Sequence, residues 1–133
     1  MLVDVFGTKK FGKLDIKFPP ISLDKRFNYK IAVRHLNFLA QDQFDNNELF
    51  CLTTNIVDLS NRNTMQSIIS FNYDGNTPKQ NINPAVLSYR SVQLYELENV
   101  SLSIKRYLTD EEIALEYLFL SLEISRSDAY GRF

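Results

Sequence analysis

Apolar and polar residues alternate along most of this chain with a period of two. Tyr29, Ile31 and Val33 fall on one phase, as do Val100, Leu102 and Ile104, and then Leu118, Leu120, Leu122 and Ile124. Alternation of this kind puts the apolar side chains on one face of a pleated strand. It predicts short strands near residues 2–6, 14–18, 29–39, 48–57, 65–72, 87–95, 99–106 and 113–125. Short strands separated by turns predict an all-β fold, an antiparallel β-sandwich of jelly-roll type with about eight strands.

The segments between strands have their own chemistry. Pro19-Pro20 stop an extended stretch before the polar turn Asp24-Lys25-Arg26. Asp45-Asn46-Asn47 and Ser60-Asn61-Arg62-Asn63 are rich in residues that bond their own backbone and tolerate left-handed conformations. Tyr73–Pro84 is the longest irregular stretch, and Asp74-Gly75 with two prolines excludes it as a central strand. A loop of that length suits a lid or a contact surface. Residues 109–118 carry two signals. Thr109-Asp110-Glu111-Glu112 has the form of a helix capping box, whereas the clean alternation of Leu118 to Ile124 favours a hairpin turn at Leu108–Asp110. No repeat or linker divides the chain, so 1–133 reads as one domain with terminal arms at about 1–13 and 125–133.

Composition narrows the class. A chain of 133 residues can bury a substantial core, and ten Phe with seven Tyr suit strands. Four Gly and four Pro exclude a fibrous or low-complexity chain. No apolar run reaches the ~18 residues of a membrane span, and Asp4 interrupts what a secretory leader would need as an apolar run. The single cysteine, Cys51, fits a reducing compartment. The net charge of −1 hides an asymmetry, because residues 1–30 hold seven Lys/Arg against three Asp, leaving −5 for the rest. Such a basic front end suits phosphate or an acidic neighbour, although scattered charge is by default a solvated face.

Chemistry is sparse. His35 and Cys51 are two metal ligands where structural zinc needs four, and neither has the spacing of a zinc site. Cys51, between Phe50 and Leu52, reads as a small buried hydrophobe. No nucleophile elbow or glycine-rich phosphate loop is present. Asp4 with Asp15-Ile16-Lys17 would make a metal-dependent nuclease only if those side chains converged. Aromatics near basic residues (Phe11, Tyr29, Tyr73, Tyr89, Tyr107) suggest single-strand nucleic-acid binding, which the near-neutral charge disfavours. No catalytic, metal or cofactor site is expected. Function is expected to lie in surfaces.

The segment Phe18–Phe38, a proline-rich lead into the strand Tyr29-Lys-Ile31-Ala-Val33, resembles the opening of minor capsid (penton) proteins of Polinton/Maverick-type, adintovirus-like viruses and mobile elements. Leu52–Ser60, with its Asn-Ile-Val run, is similar to the next strand of that family, and Ser67–Phe71 to the one after. Val100-Ser-Leu-Ser-Ile104, within Tyr89–Arg106, and Leu118–Ile124 resemble its late and closing strands. The resemblance spans about residues 14–125. It departs from the family at Leu108-Thr-Asp-Glu111, where an Asp/Asn-Gly turn is usual.

The resemblance implies a single jelly roll that assembles into pentamers at capsid vertices beside a separate major capsid protein, in a virion built in host cytoplasm or nucleus. Loops and edges then carry the subunit contacts. The candidates are Tyr73, Asp74 and Asn76, then Asn61 and Arg62, then Tyr130 and Phe133 on the polar tail. Lys9, Lys10 and Lys13 are candidates for weak contact with DNA. The alternative expectation is a β-sandwich adaptor that binds another protein through its loops.

Overall fold

The computed structural model describes residues 1–10, 13–19, 23–24, 27–59, 63–64, 67–94 and 100–126. They form eleven strands and no helix: β1 (Leu2–Lys10), β2 (Lys13–Lys17), β3 (Tyr29–Ala40), β4 (Leu49–Thr54), β5 (Val57–Asp58), β6 (Asn63–Thr64), β7 (Ile69–Asn72), β8 (Lys79–Ile82), β9 (Arg90–Gln93), β10 (Leu102–Arg106) and β11 (Leu115–Arg126). Every pairing is antiparallel.

The strands make two sheets. The large one runs β2-β1-β11-β3-β9-β5-β6, with β8 also on β3, and the small one runs β10-β4-β7. The pairing is nested, first with last, as in a jelly roll: β3 with β11, β4 with β10, β5 with β9. The all-β antiparallel sandwich expected from alternation is the fold observed.

Cross-strand rows explain the core. Val5, Leu120 and Leu36 stand side by side on β1, β11 and β3, as do Val3, Leu122 and Val33. The next row is Gly7, Leu118 and Phe38; a Cβ on Gly7 would lie 3.1 Å from Leu14 and 3.2 Å from Ile16. Glycine thus leaves room for β2 to cover that row. Phe50, Leu52 and Ile104 of the small sheet are wholly buried in the same core.

Two register shifts keep the apolar residues inward. Ser121 pairs with His35 and Leu122 with Val33, so Arg34 is an extra residue in β3. The inward set changes there from Ile31 and Val33 to Leu36 and Phe38, a step of three instead of two. A second shift between Leu115 and Tyr117 accompanies the same step, from Leu115 to Leu118. A bulge is what an extra residue requires if both halves of a strand are to face the core.

Three expectations change, and the open choice at residues 109–118 is decided for the hairpin. The strand expected near 2–6 runs on to Lys10 as β1, paired to β11 on one side and β2 on the other, so this stretch is not an arm, because Val3, Val5 and Gly7 are core positions. The predicted 48–57 strand divides, with β4 in the small sheet and β5 in the large one, as the chain crosses between layers at Asn55-Ile56. The Tyr73–Pro84 loop contains β8, an edge strand with Pro78 and Pro84 flanking it where a proline breaks no ladder bond. No helix forms at Thr109. A tight hairpin closes there, with Arg106 N–H to Glu111 O at 2.8 Å and Ile113 N–H to Ile104 O at 3.0 Å, but its arms belong to different sheets.

Candidate interaction surfaces

One end of the sandwich is closed by three interlocked loops. Asn47, at φ 66°, lies in the left-handed region that Asn tolerates. Its N–H donates to Tyr73 O at 2.8 Å, and Tyr73 N–H donates to Glu48 O at 2.8 Å. Gly75 N–H donates to Asn46 Oδ1 at 3.0 Å, and a Cβ there would meet Asn46 N at 2.8 Å, so only glycine permits this approach. Arg106 joins the third loop, binding Glu48 through Nε and through Nη2 (3.0 Å to Oε1), and lying 5.4 Å above the Phe44 ring. The bidentate bond to Glu48 holds this guanidinium more firmly protonated than usual.

The expected contact loop is therefore tied down. Gln80, 2% exposed, accepts from Asp74 N–H (2.8 Å) and donates to Asp74 O (2.9 Å) and Thr77 O (2.8 Å). Tyr73 is buried against Phe50 (5.0 Å) and Phe44 (5.6 Å), which removes it as a partner contact: the alternation Ile69, Phe71, Tyr73 carries it into the core. Asp74 and Asn76 are exposed at the tip, where Asp74 Oδ1 accepts from Asn76 N–H. Asn61, Arg62, Tyr130 and Phe133 lie outside the described residues, as do the side chains of Lys10 and Lys13, whose backbones pair at the β1–β2 turn. Lys9 stands 3.7 Å from Glu116, on a strand and not on an arm.

Two clefts open along the sides of the sandwich. One, of about 350 Å³, lies between β2 and β10, lined by Leu14, Ile16, Leu102, Ile104, Ile113 and Leu115, with exposed Glu112 beside them. The other, of about 380 Å³, lies between β7 and the chain from β8 to Arg90, lined by Val33, Ile68, Ile69, Ile82, Pro84 and Val86, with Arg90 beside them. Because β10 and β7 are the two edges of the small sheet, the clefts sit on opposite sides of it. Val86 is 80% exposed. Arg90 is half-exposed and lies 3.5 Å from the buried Asp58 carboxylate.

The outer face of the large sheet carries an aromatic stripe. Phe6, 55% exposed, packs on Phe119 with ring centroids 4.7 Å apart, and His35 lies 5.7 Å from Phe119. His35 Nδ1 is 2.6 Å from Asn83 Oδ1, so with the amide in this orientation the ring proton sits on Nδ1. Leu2 and Phe6 belong to this face because they fall out of phase with Val3 and Val5.

The hypothetical nuclease constellation does not assemble. Asp15 opposes Thr8, four residues along β1 from Asp4, which separates the two carboxylates by roughly 13 Å at strand rise. Lys17 pairs with Asp15 at 3.7 Å. No group of three or more His, Cys, Asp or Glu that would hold a metal occurs among the described residues.

Cys51 is buried on the small sheet between Ser70 and Lys105. Burial pushes its thiol pKa up, with Asp110 adding to the shift, and burial likewise raises that of Tyr73. The folded state thus holds both protons more tightly than the unfolded chain does. The contribution of these two groups to stability is expected to be fully present below the unfolded Cys pKa of ~8.5 and to be lost as pH rises through the raised values. Urea midpoints at pH 7, 9 and 10 check this. A midpoint unchanged through pH 10 contradicts it, and Cys51→Ala should remove the first part of the decline.

No family model, curated protein or solved structure matches this chain.

Proposed function

We propose that this chain is a structural capsid protein, a vertex-type capsomer that associates sideways into closed rings of identical copies beside a major capsid protein. The observation that carries the reading is a nested jelly-roll sandwich with apolar side chains left on its outside. Phe6 and Leu2, both more than half exposed, share the outer face of β1, where Phe6 packs on Phe119. Apolar groups clustered on an outer face suit a contact surface. The resemblance of residues 14–125 to Polinton-type penton proteins points the same way. In this reading Lys9, Lys10 and Lys13 give at most a weak, salt-sensitive contact with packaged DNA, and Glu116 beside Lys9 weakens it further.

The test is solution mass by light scattering on a sizing column across concentration and salt. A stable species near 78 kDa, about five times the 15.5 kDa chain, is the expected result. A monomer under every condition overturns the ring and favours the adaptor reading.

A further inference from the structure

The ring reading leaves open which surfaces meet, and we infer that the Val86 lip of one copy seats in the β2–β10 cleft of the next, a head-to-tail contact between two different faces. This inference rests on the proposed ring. Three observations on the described residues carry it. The lip and the cleft lie on opposite sides of the small sheet, because the β7 edge bounds one and the β10 edge the other. A contact joining opposite sides of the same subunit is heterologous, the kind that generates a ring where its rotation closes and a filament where it does not.

The second observation is shape and polarity. Val86 is the most exposed aliphatic side chain apart from Leu108, raised on the Pro84-Ala85-Val86 bend. The β2–β10 cleft is walled by half-buried Leu14 and Ile16 over the buried Leu102, Ile104, Ile113 and Leu115, with Gln41, Ser103 and Glu112 as its polar side. An aliphatic lip leaving water against that wall gains burial energy that a polar one would not.

The third is charge. Arg90, half-exposed and shared with Asp58 of its own chain at 3.5 Å, stands beside Val86, and exposed Glu112 stands beside the cleft. Seating lip in cleft brings Arg90 of one copy towards Glu112 of the next. Lip against lip would instead set Arg90 against Arg90, and cleft against cleft would set Glu112 against Glu112. Opposite signs select the head-to-tail register. A second copy of this chain is therefore the occupant.

Charge variants at two exposed positions test the contact without disturbing the core. Light scattering compares the native chain with Val86→Glu, Val86→Lys, and Val86→Glu combined with Glu112→Lys, each checked for unchanged thermal melting. Val86→Glu sets two carboxylates against each other and should raise the ring dissociation constant at least tenfold. Val86→Lys faces Glu112 and should retain more of the ring than Val86→Glu, and the double variant, whose new lysine meets both the new carboxylate and Arg90, should regain part of it. A native ring that Val86→Glu leaves intact, or a double variant no better than Val86→Glu, overturns this contact while the ring stands. A native monomer overturns both.

Discussion

Phe50→Ala is expected to lower the unfolding free energy by about 4 kcal/mol, the largest loss from any single truncation at the closed end of the sandwich. Phe50 is wholly buried on β4, the central strand of the small sheet. Its ring meets Phe44 edge-on at 5.1 Å, Tyr73 at 5.0 Å and Phe71 at 6.2 Å. Phe71 in turn reaches Phe38 of the large sheet at 5.7 Å, so one side chain couples both layers and the 41–48 loop. Neighbours held by the Asn47–Tyr73 and Glu48–Tyr73 backbone bonds cannot collapse into the vacated space. The measurement is urea denaturation with Phe50→Leu alongside, which should lose less than half as much because most of the volume stays. A loss under 1 kcal/mol for the alanine variant would mean that the loop bonds alone hold that end.

Gln80→Leu is expected to cost about 3 kcal/mol although it adds apolar surface to a buried position. The leucine cannot accept from Asp74 N–H or donate to the Asp74 and Thr77 carbonyls, so three backbone groups lose a bond at once, and Asp74 O keeps only the long one from Thr77 N–H at 3.5 Å. Gln80→Glu separates the hydrogen bonds from mere volume. Ionised, it faces two carbonyl oxygens with a negative charge, whereas protonated it donates to one of them. Its folded pKa is thereby raised, so its contribution to stability is present below the unfolded value of ~4.3 and is lost as pH rises. The gap between Gln80→Glu and the native chain should be smaller at pH 4 than at pH 7, measured by denaturant midpoint. An equal gap at both pH values would show that the carboxyl is not where the amide sits. Because β8 leads into the Val86 bend, Gln80→Leu should also weaken ring formation if the lip makes the contact.

Much of this fold is legible in the chain, and the misreadings have specific causes. The bulge at Arg34 is written as the step from Val33 to Leu36, and the second shift as the step from Leu115 to Leu118. Tyr73 continues the inward phase of Ile69 and Phe71, yet its place beside Asp74-Gly75 suggested a loop. Residues 1–13 read as an arm holding a short strand near 2–6, but Val3, Val5 and Gly7 hold the core phase, and pairing with β11 carries the strand further. Gln80 left no signal at all. A glutamine in a polar stretch looks solvated until the loop folds back and supplies its three partners. Val86 left none either, since it sits in the apolar run Ala85-Val86-Leu87 that reads as the start of a strand.

Period-two alternation by itself determined that this protein is an all-β sandwich, where most of its strands lie, and which face the side chains of its regular strands take, since pleating assigns each residue a face. Partner choice belonged to the tertiary structure. β1 pairs with β11 more than a hundred residues away, and a face preference is indifferent to which apolar face it meets. The clefts also exist only there. A small sheet of three strands cannot cover a larger sheet of eight, so its two edges stop short, and the openings left on either side are where Glu112 and Val86 come to stand.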